Sequence, residues 1–188
     1  MANHVNTNIE IINLKKETVE KLKERFSDIK IGDSVGEFFP DVEYTHQFFS
    51  ENVGAKWCNL EDIDYSDDYF WITLQSAWSY PAEFVQKLND FILQYQENFK
   101  VFTRYEDEMP NFAGGEVWED GEMIDSREDD DDEIIEGIRD INPRCYDLIM
   151  KEQEDELDDD EEEELNDIRW DTINEVVEEI QSFAMNYR

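Results

Sequence analysis

DYFWITLQSAWSYPAEFVQKLNDFILQY, residues 68–95, decides the fold class. In its opening part Phe70, Ile72 and Leu74 alternate with Tyr69, Trp71 and Thr73, and both sets are bulky. A strand covered on both faces, or central in its sheet, has that pattern. Ser79 and Pro81 then announce a helix, since proline suits the first helical position. Phe84, Val85, Leu88, Phe91, Ile92 and Tyr95 supply its apolar face.

Upstream, HVNTNIEIIN places Val5, Thr7, Ile9 and Ile11 on one face and His4, Asn6, Asn8 and Glu10 on the other, which is strand period. LKKETVEKLKERFSDI follows, with Val19, Leu22, Phe26 and Ile29 at helical spacing beneath a Lys-rich outer face. Ile31 to Gly36 reads as a loop, and a short helix before Val53 is expected in the Phe-rich stretch 37–55. Strand pattern resumes from Lys56 through Leu60, ahead of a polar turn at YSDD. Downstream of the helix, Phe99, Val101, Thr103 and Tyr105 alternate as a strand. Asp120-Gly121 then stands between two short β-like runs, a strong hairpin signal. The expected architecture is α+β: a ferredoxin-like β-α-β-β-α-β domain over residues 1–125 with an added hairpin strand, its two helices on one face of an antiparallel sheet. A C-terminal acidic helical extension over 126–188 completes the chain.

MANHVNTNIEI at the start, GAKW at 54–57, LQSAWSYP at 74–81 and FAGG at 112–115 occur in that order. The ordered set resembles the landmarks of the YubB-type ferredoxin-like family of small phage and plasmid proteins, over roughly residues 1–125. His4 stands where an aromatic is more usual in that family, and Tyr80 where a second proline often is. The resemblance implies the fold and a mobile-element origin, and assigns no catalytic residue.

Charge divides the chain. Residues 1–105 carry ten Lys/Arg against eighteen Asp/Glu, whereas residues 106–188 carry six against thirty-three. A net charge of −35 repels nucleic acid and anionic membrane and attracts basic surfaces and cations. Direct nucleic-acid binding needs a basic patch that this composition does not supply. Aromatic content of 13% separates the chain from aromatic-poor disordered sequences. With a polar start, no long apolar run, and Cys58 and Cys145 outside any metal or disulfide spacing, a protein of the reducing host cytoplasm is expected, with no membrane partner.

In EQEDELDDDEEEELNDIRW, residues 152–170, eleven of the thirteen positions from Glu152 to Glu164 are acidic, and an apolar helix pattern follows at once. Asn142-Pro143 reads as an N-cap with proline at the first helical position, and no Pro or Gly follows. One helix continuous from Pro143 is therefore expected ahead of a broken linker, with Cys145, Leu148 and Ile149 anchoring its start. An amphipathic segment over 165–187 would close it. There Trp170, Ile173, Val177, Ile180 and Ala184 form a seam for docking on the front domain or on a second copy. As a helix, the thirteen residues would span roughly 20 Å. That is one carboxylate per ~1.8 Å, close to the one charge per ~1.7 Å of duplex DNA.

Enzyme chemistry finds no foothold. Paired carboxylates mean little among fifty-one Asp/Glu, and no nucleophile elbow, phosphate loop or metalloprotease helix motif is present. DIDYSDDYFWIT (62–73) lacks the turn glycine and closing glutamate of an EF-hand loop. His4, His46, Cys58 and Cys145 show no ligand spacing. Gly114-Gly115 reads as a strand bulge or a close backbone approach. Trp57, Phe70 and Trp71 read as core in preference to a base-stacking sheet. No catalytic group, cofactor or metal is expected. The expected function is inhibition of a host DNA-binding or defence protein through its basic groove, by DNA mimicry. Its surface would comprise Glu152, Glu154, Asp155, Glu156, Asp158, Asp159, Asp160, Glu161, Glu162, Glu163 and Glu164, with Asp129, Asp130, Asp131 and Asp132 as a second patch. The alternatives are a structural or assembly module that homodimerises through the C-terminal seam, its acidity serving solubility, and a divalent-cation binder.

Overall fold

The computed structural model describes residues 3–40, 42–108 and 111–188. Strand β1 (His4–Ile12) leads into helix α1 (Lys16–Phe26), a 3₁₀ turn at Val35–Phe38 and the short helix α2 (His46–Asn52). Strands β2 (Cys58–Tyr65) and β3 (Phe70–Ala77), helix α3 (Ala82–Leu93) and strand β4 (Lys100–Asp107) follow. The hairpin β5 (Phe112–Glu119) and β6 (Glu122–Asp130) precedes helices α4 (Asp131–Ile141), α5 (Pro143–Gln153) and α6 (Asp159–Gln181), and a 3₁₀ turn ends at Tyr187.

One antiparallel sheet of six strands runs in the order β2-β3-β1-β4-β5-β6. It thus has two strands beyond a simple β-α-β-β-α-β set, where the sequence suggested one. Thr7 opposes Tyr105, Ile9 opposes Thr103 and Ile11 opposes Val101, so these alternate residues share a face. On that face β1, β3 and β4 meet Val19, Leu22 and Phe26 of α1 and Phe84, Val85, Leu88 and Ile92 of α3 in the main core. The hairpin turn has Asp120 at φ 51° and Gly121 at φ 81°, the paired left-handed conformation of a type I′ turn that Asp-Gly favours.

The opposite face is covered over the hairpin. Phe102 and Val117 pack with Ala184, and Ala113 joins Ile134, Ile138, Leu148, Leu165, Ile173 and Val177 in a second core. The acidic back end is therefore a second helical layer on β4, β5 and β6. Strand β6 runs through position 125 and passes directly into α4 at Asp130.

One expectation for this region is corrected. Pro143–Arg188 is not one helix: α5 ends at Gln153 and α6 begins at Asp159. Asp155 takes the left-handed conformation (φ 57°); its N–H donates to the Glu152 carbonyl at 3.1 Å, and the Glu156 N–H donates to the Lys151 carbonyl at 2.9 Å. That pair of bonds is a Schellman closure, which satisfies carbonyls left over at the helix end. The expected seam divides by burial. Ile173, Val177, Ile180 and Ala184 are buried within this chain, while Trp170 remains 50% exposed.

Candidate acidic interface

The carboxylates singled out in the sequence do not form a rod. Several serve the fold. The Asp130 side chain accepts from the Glu133 N–H at 3.1 Å, and Glu133 accepts from the Asp130 N–H at 3.1 Å, a reciprocal cap on α4. Asp131 and Asp132 occupy the first turn of α4. Asp158 caps α6, accepting from the Glu161 N–H at 2.9 Å, and Asp159, Asp160, Glu161 and Glu162 fill its first turn. Acidic residues belong there, because the unpaired N–H groups give a helix N-terminus partial positive charge.

Others are held by the few cations nearby. Arg127 donates to both carboxylate oxygens of Asp129 at 2.8 and 2.7 Å. Arg144 donates to Glu164 at 3.1 and 2.6 Å, and Lys151 donates to Glu161 at 2.6 Å. Arg169 pairs with Glu152 at 2.6 Å. Hydrogen bonding from Lys151 holds the Glu161 carboxyl below its ordinary range, and hydrogen bonding from Arg144 does the same for Glu164. The Arg144, Lys151 and Arg169 pairs tie α5 to α6. Glu154, Asp155 and Glu156 lie in the connection between the two helices and are exposed.

What the sequence reading missed is the outer face of α6. Glu163, Asp167, Asp171, Glu175 and Glu179 follow one another at every fourth residue, all exposed, between the buried positions Leu165, Thr172, Ile173, Val176, Val177 and Ile180. No salt bridge joins any of the five to a cation among the described residues. With Asp159, Asp160, Glu162 and Glu178, nine exposed carboxylates line this helix of 23 residues. At 1.5 Å rise per residue it is ~34 Å long. One charge per ~3.8 Å results, against ~3.4 Å along a single DNA strand. Four-residue spacing between the apolar positions was the signal, hidden by the denser run upstream.

Other candidates resolve into structure. Phe70 is fully buried, Trp71 is half-buried, and Trp57 packs edge-on against His4 with ring centroids 5.4 Å apart. Residues 62–73 lie at the turn end of the β2–β3 hairpin, and Cys58 and Cys145 are free and buried. Among the described residues, no group of three or more His, Cys, Asp or Glu is placed to hold a metal ion, and no helix is long and apolar enough to cross a membrane.

No protein-family model and no curated protein matches the chain. Among solved structures it is similar to the crystal structure of protein api92 from Yersinia pseudotuberculosis, assigned to the family DUF1281. Identity is 19%, the TM-score is 0.36, and the match covers 50% of this chain and 33% of that one. The matched region thus spans about a third of that protein's length.

Proposed function

We propose that this chain is an acidic binding protein of phage or mobile-element origin that occupies the basic, nucleic-acid-binding groove of a host protein in the cytoplasm and inhibits it by DNA mimicry. The observation that carries the reading is the outer face of α6, where carboxylates recur every fourth residue without a salt bridge among the described residues, Arg127 acting on Glu179 alone, while the inner face is locked in a core. Like charges at i,i+4 each cost a few tenths of a kcal/mol. Packing holds them in register, and a groove of Lys and Arg built for phosphates would relieve the repulsion. Mimicry on this reading uses α6 lengthwise, supplemented by the exposed bend at Glu154–Glu156.

The front of the sheet, β2-β3-β1-β4 with α1 and α3 on one face, is read as the ferredoxin-like unit, extended by the β5–β6 hairpin. Kinship with the YubB-type family rests on the four sequence landmarks. Dimerisation through the C-terminal seam is the less favoured reading, because most seam side chains are already covered within the chain.

The test is a variant with Glu163, Asp167, Asp171, Glu175 and Glu179 replaced by Gln or Asn. A nucleic-acid-binding protein from bacterial lysate should be retained by the native chain, released by duplex DNA, and lost from the variant, whose circular dichroism stays native. Equal retention by the variant sinks the proposal.

A further inference from the structure

Two cavities meet at Trp170 and Ile173. One, of about 260 Å³, has a floor of five isoleucines, among them Ile134, Ile138 and Ile149, with Asp131 and the ion-paired Glu152 and Arg169 at its edge. The other, of about 230 Å³, lies against the end of β4 and carries Glu106, Asp107 and Glu108. The indole between them is half exposed, the sole large apolar side chain of α6 left so. Among the described residues no cation stacks on it. One flank of this tryptophan thus has an apolar floor, its cation Arg169 already held by Glu152, and the other flank is anionic.

We infer that Trp170 and its two flanking cavities form the recognition centre for a basic segment of a protein partner, one that places an apolar side chain among the isoleucines and a Lys or Arg over the indole toward Glu106 and Glu108. This deepens the proposed function and rests on it for the class of partner. Charge complementarity selects the occupant: residues 106–188 carry thirty-three Asp/Glu against six Lys/Arg, so an acidic or neutral segment meets repulsion or no attraction. A cation over the face of Trp is attracted by the ring quadrupole, and desolvation strengthens the contact. Binding energy concentrates on such aromatic anchors ringed by polar groups. Carboxylates on α6 then set the rate and sign of the encounter, while Trp170 sets which basic segment is kept.

The probes are a synthetic amphipathic peptide, with leucines on one helical face and Lys/Arg on the other, and an oligolysine of equal charge. Calorimetry at physiological salt and the five tryptophan indole N–H resonances report binding. The amphipathic peptide should shift the Trp170 resonance, bind more tightly than oligolysine, and lose about tenfold in affinity with Trp170→Ala. Trp78→Ala, which removes a tryptophan 55% exposed elsewhere, should change nothing. Glu108→Gln, remote from the isoleucine cavity, should weaken the amphipathic peptide without disturbing the fold. Equal affinities for the two peptides with an unmoved Trp170 resonance overturn the inference in favour of diffuse attraction. Concentration-dependent sedimentation abolished by Trp170→Ala overturns it in favour of a second copy. The two readings separate cleanly: if the α6 charge variant loses the lysate protein while Trp170→Ala keeps it, only this inference fails. Retention lost by Trp170→Ala and kept by the charge variant removes the mimicry instead.

Discussion

Glu116 on β5 is a carboxylate with a structural occupation. It accepts from the Tyr80 hydroxyl at 2.7 Å and from the Trp118 indole N–H at 2.8 Å, and Tyr80 stacks on Tyr105 with centroids 4.1 Å apart. Burial pushes the Glu116 carboxyl above its ordinary range, against those hydrogen bonds. Burial also raises the Tyr80 and Tyr105 phenols, which keeps both as donors. A carboxyl with a raised folded-state pKa binds protons more tightly folded than unfolded. Its contribution to stability is therefore present below the ordinary carboxylate range and falls as pH rises through the raised value. Glu116→Gln retains an oxygen acceptor and removes the charge. Denaturant melts of native and variant chains across the acid range should give a stability difference that grows in the variant's favour as pH rises, then levels off. A difference independent of pH refutes it. Beside it, a Cβ on Gly115 would lie 2.4 Å from the Thr103 carbonyl oxygen and 3.3 Å from the Phe183 ring. The close approach expected of Gly114-Gly115 is present, while the register shift falls later, between Val117 and Trp118. Gly115→Ala overpacks that crossing and should cost about 1–3 kcal/mol. The melting midpoint should drop by several degrees.

At the scale of elements, the turn between α5 and α6 decides whether the acidic run is a rod or a bend. Asp155 pays for its left-handed φ of 57° and places a negative charge at a helix C-terminus. Glycine removes both penalties, so Asp155→Gly should raise stability by about 1 kcal/mol, and Asp155→Ala should fall below it. In an unbroken helix the order reverses, because glycine costs ~1 kcal/mol relative to alanine there. Thermal melts of the two variants give the sign. This turn was illegible in the sequence because its left-handed residue is an aspartate among aspartates, where a glycine would have announced it. Strands β1, β3 and β4 and helices α1 and α3 were legible, since periods of two and 3.6 run undisturbed through Val5–Ile11, Phe70–Leu74 and Phe84–Ile92, while β2 runs on to Tyr65, beyond the Leu60 at which its pattern stops. The second layer was not: its docking face on the sheet is Ala113, Gly115 and Val117, small residues that carry no strong alternation. The α6 stripe escaped for a related reason, since carboxylates every fourth residue look ordinary beside eleven in thirteen.

Across the whole molecule a net charge of −35 works against compactness. Six Lys/Arg after residue 105 are largely committed to internal pairs with Asp129, Glu136, Glu152, Glu161, Glu164 and Glu10. The remaining repulsion acts at long range, and its reach shrinks from about 30 Å at 0.01 M salt to about 8 Å at 0.15 M. Added salt should therefore raise the melting midpoint, with each ~1 kcal/mol recovered worth about 2–4 °C for a chain of this size. Partner binding has the opposite dependence if it is a competition for a phosphate groove, because screening weakens attraction between carboxylates and Lys/Arg. Melting and binding followed over one salt series should move in opposite directions, and neutralising the five α6 carboxylates should flatten both curves. Were the acidity only for solubility, that variant would lose the stability slope and keep its binding curve. The sign and the coupling of the two slopes thus distinguish a surface charged to stay dissolved from one charged to be recognised.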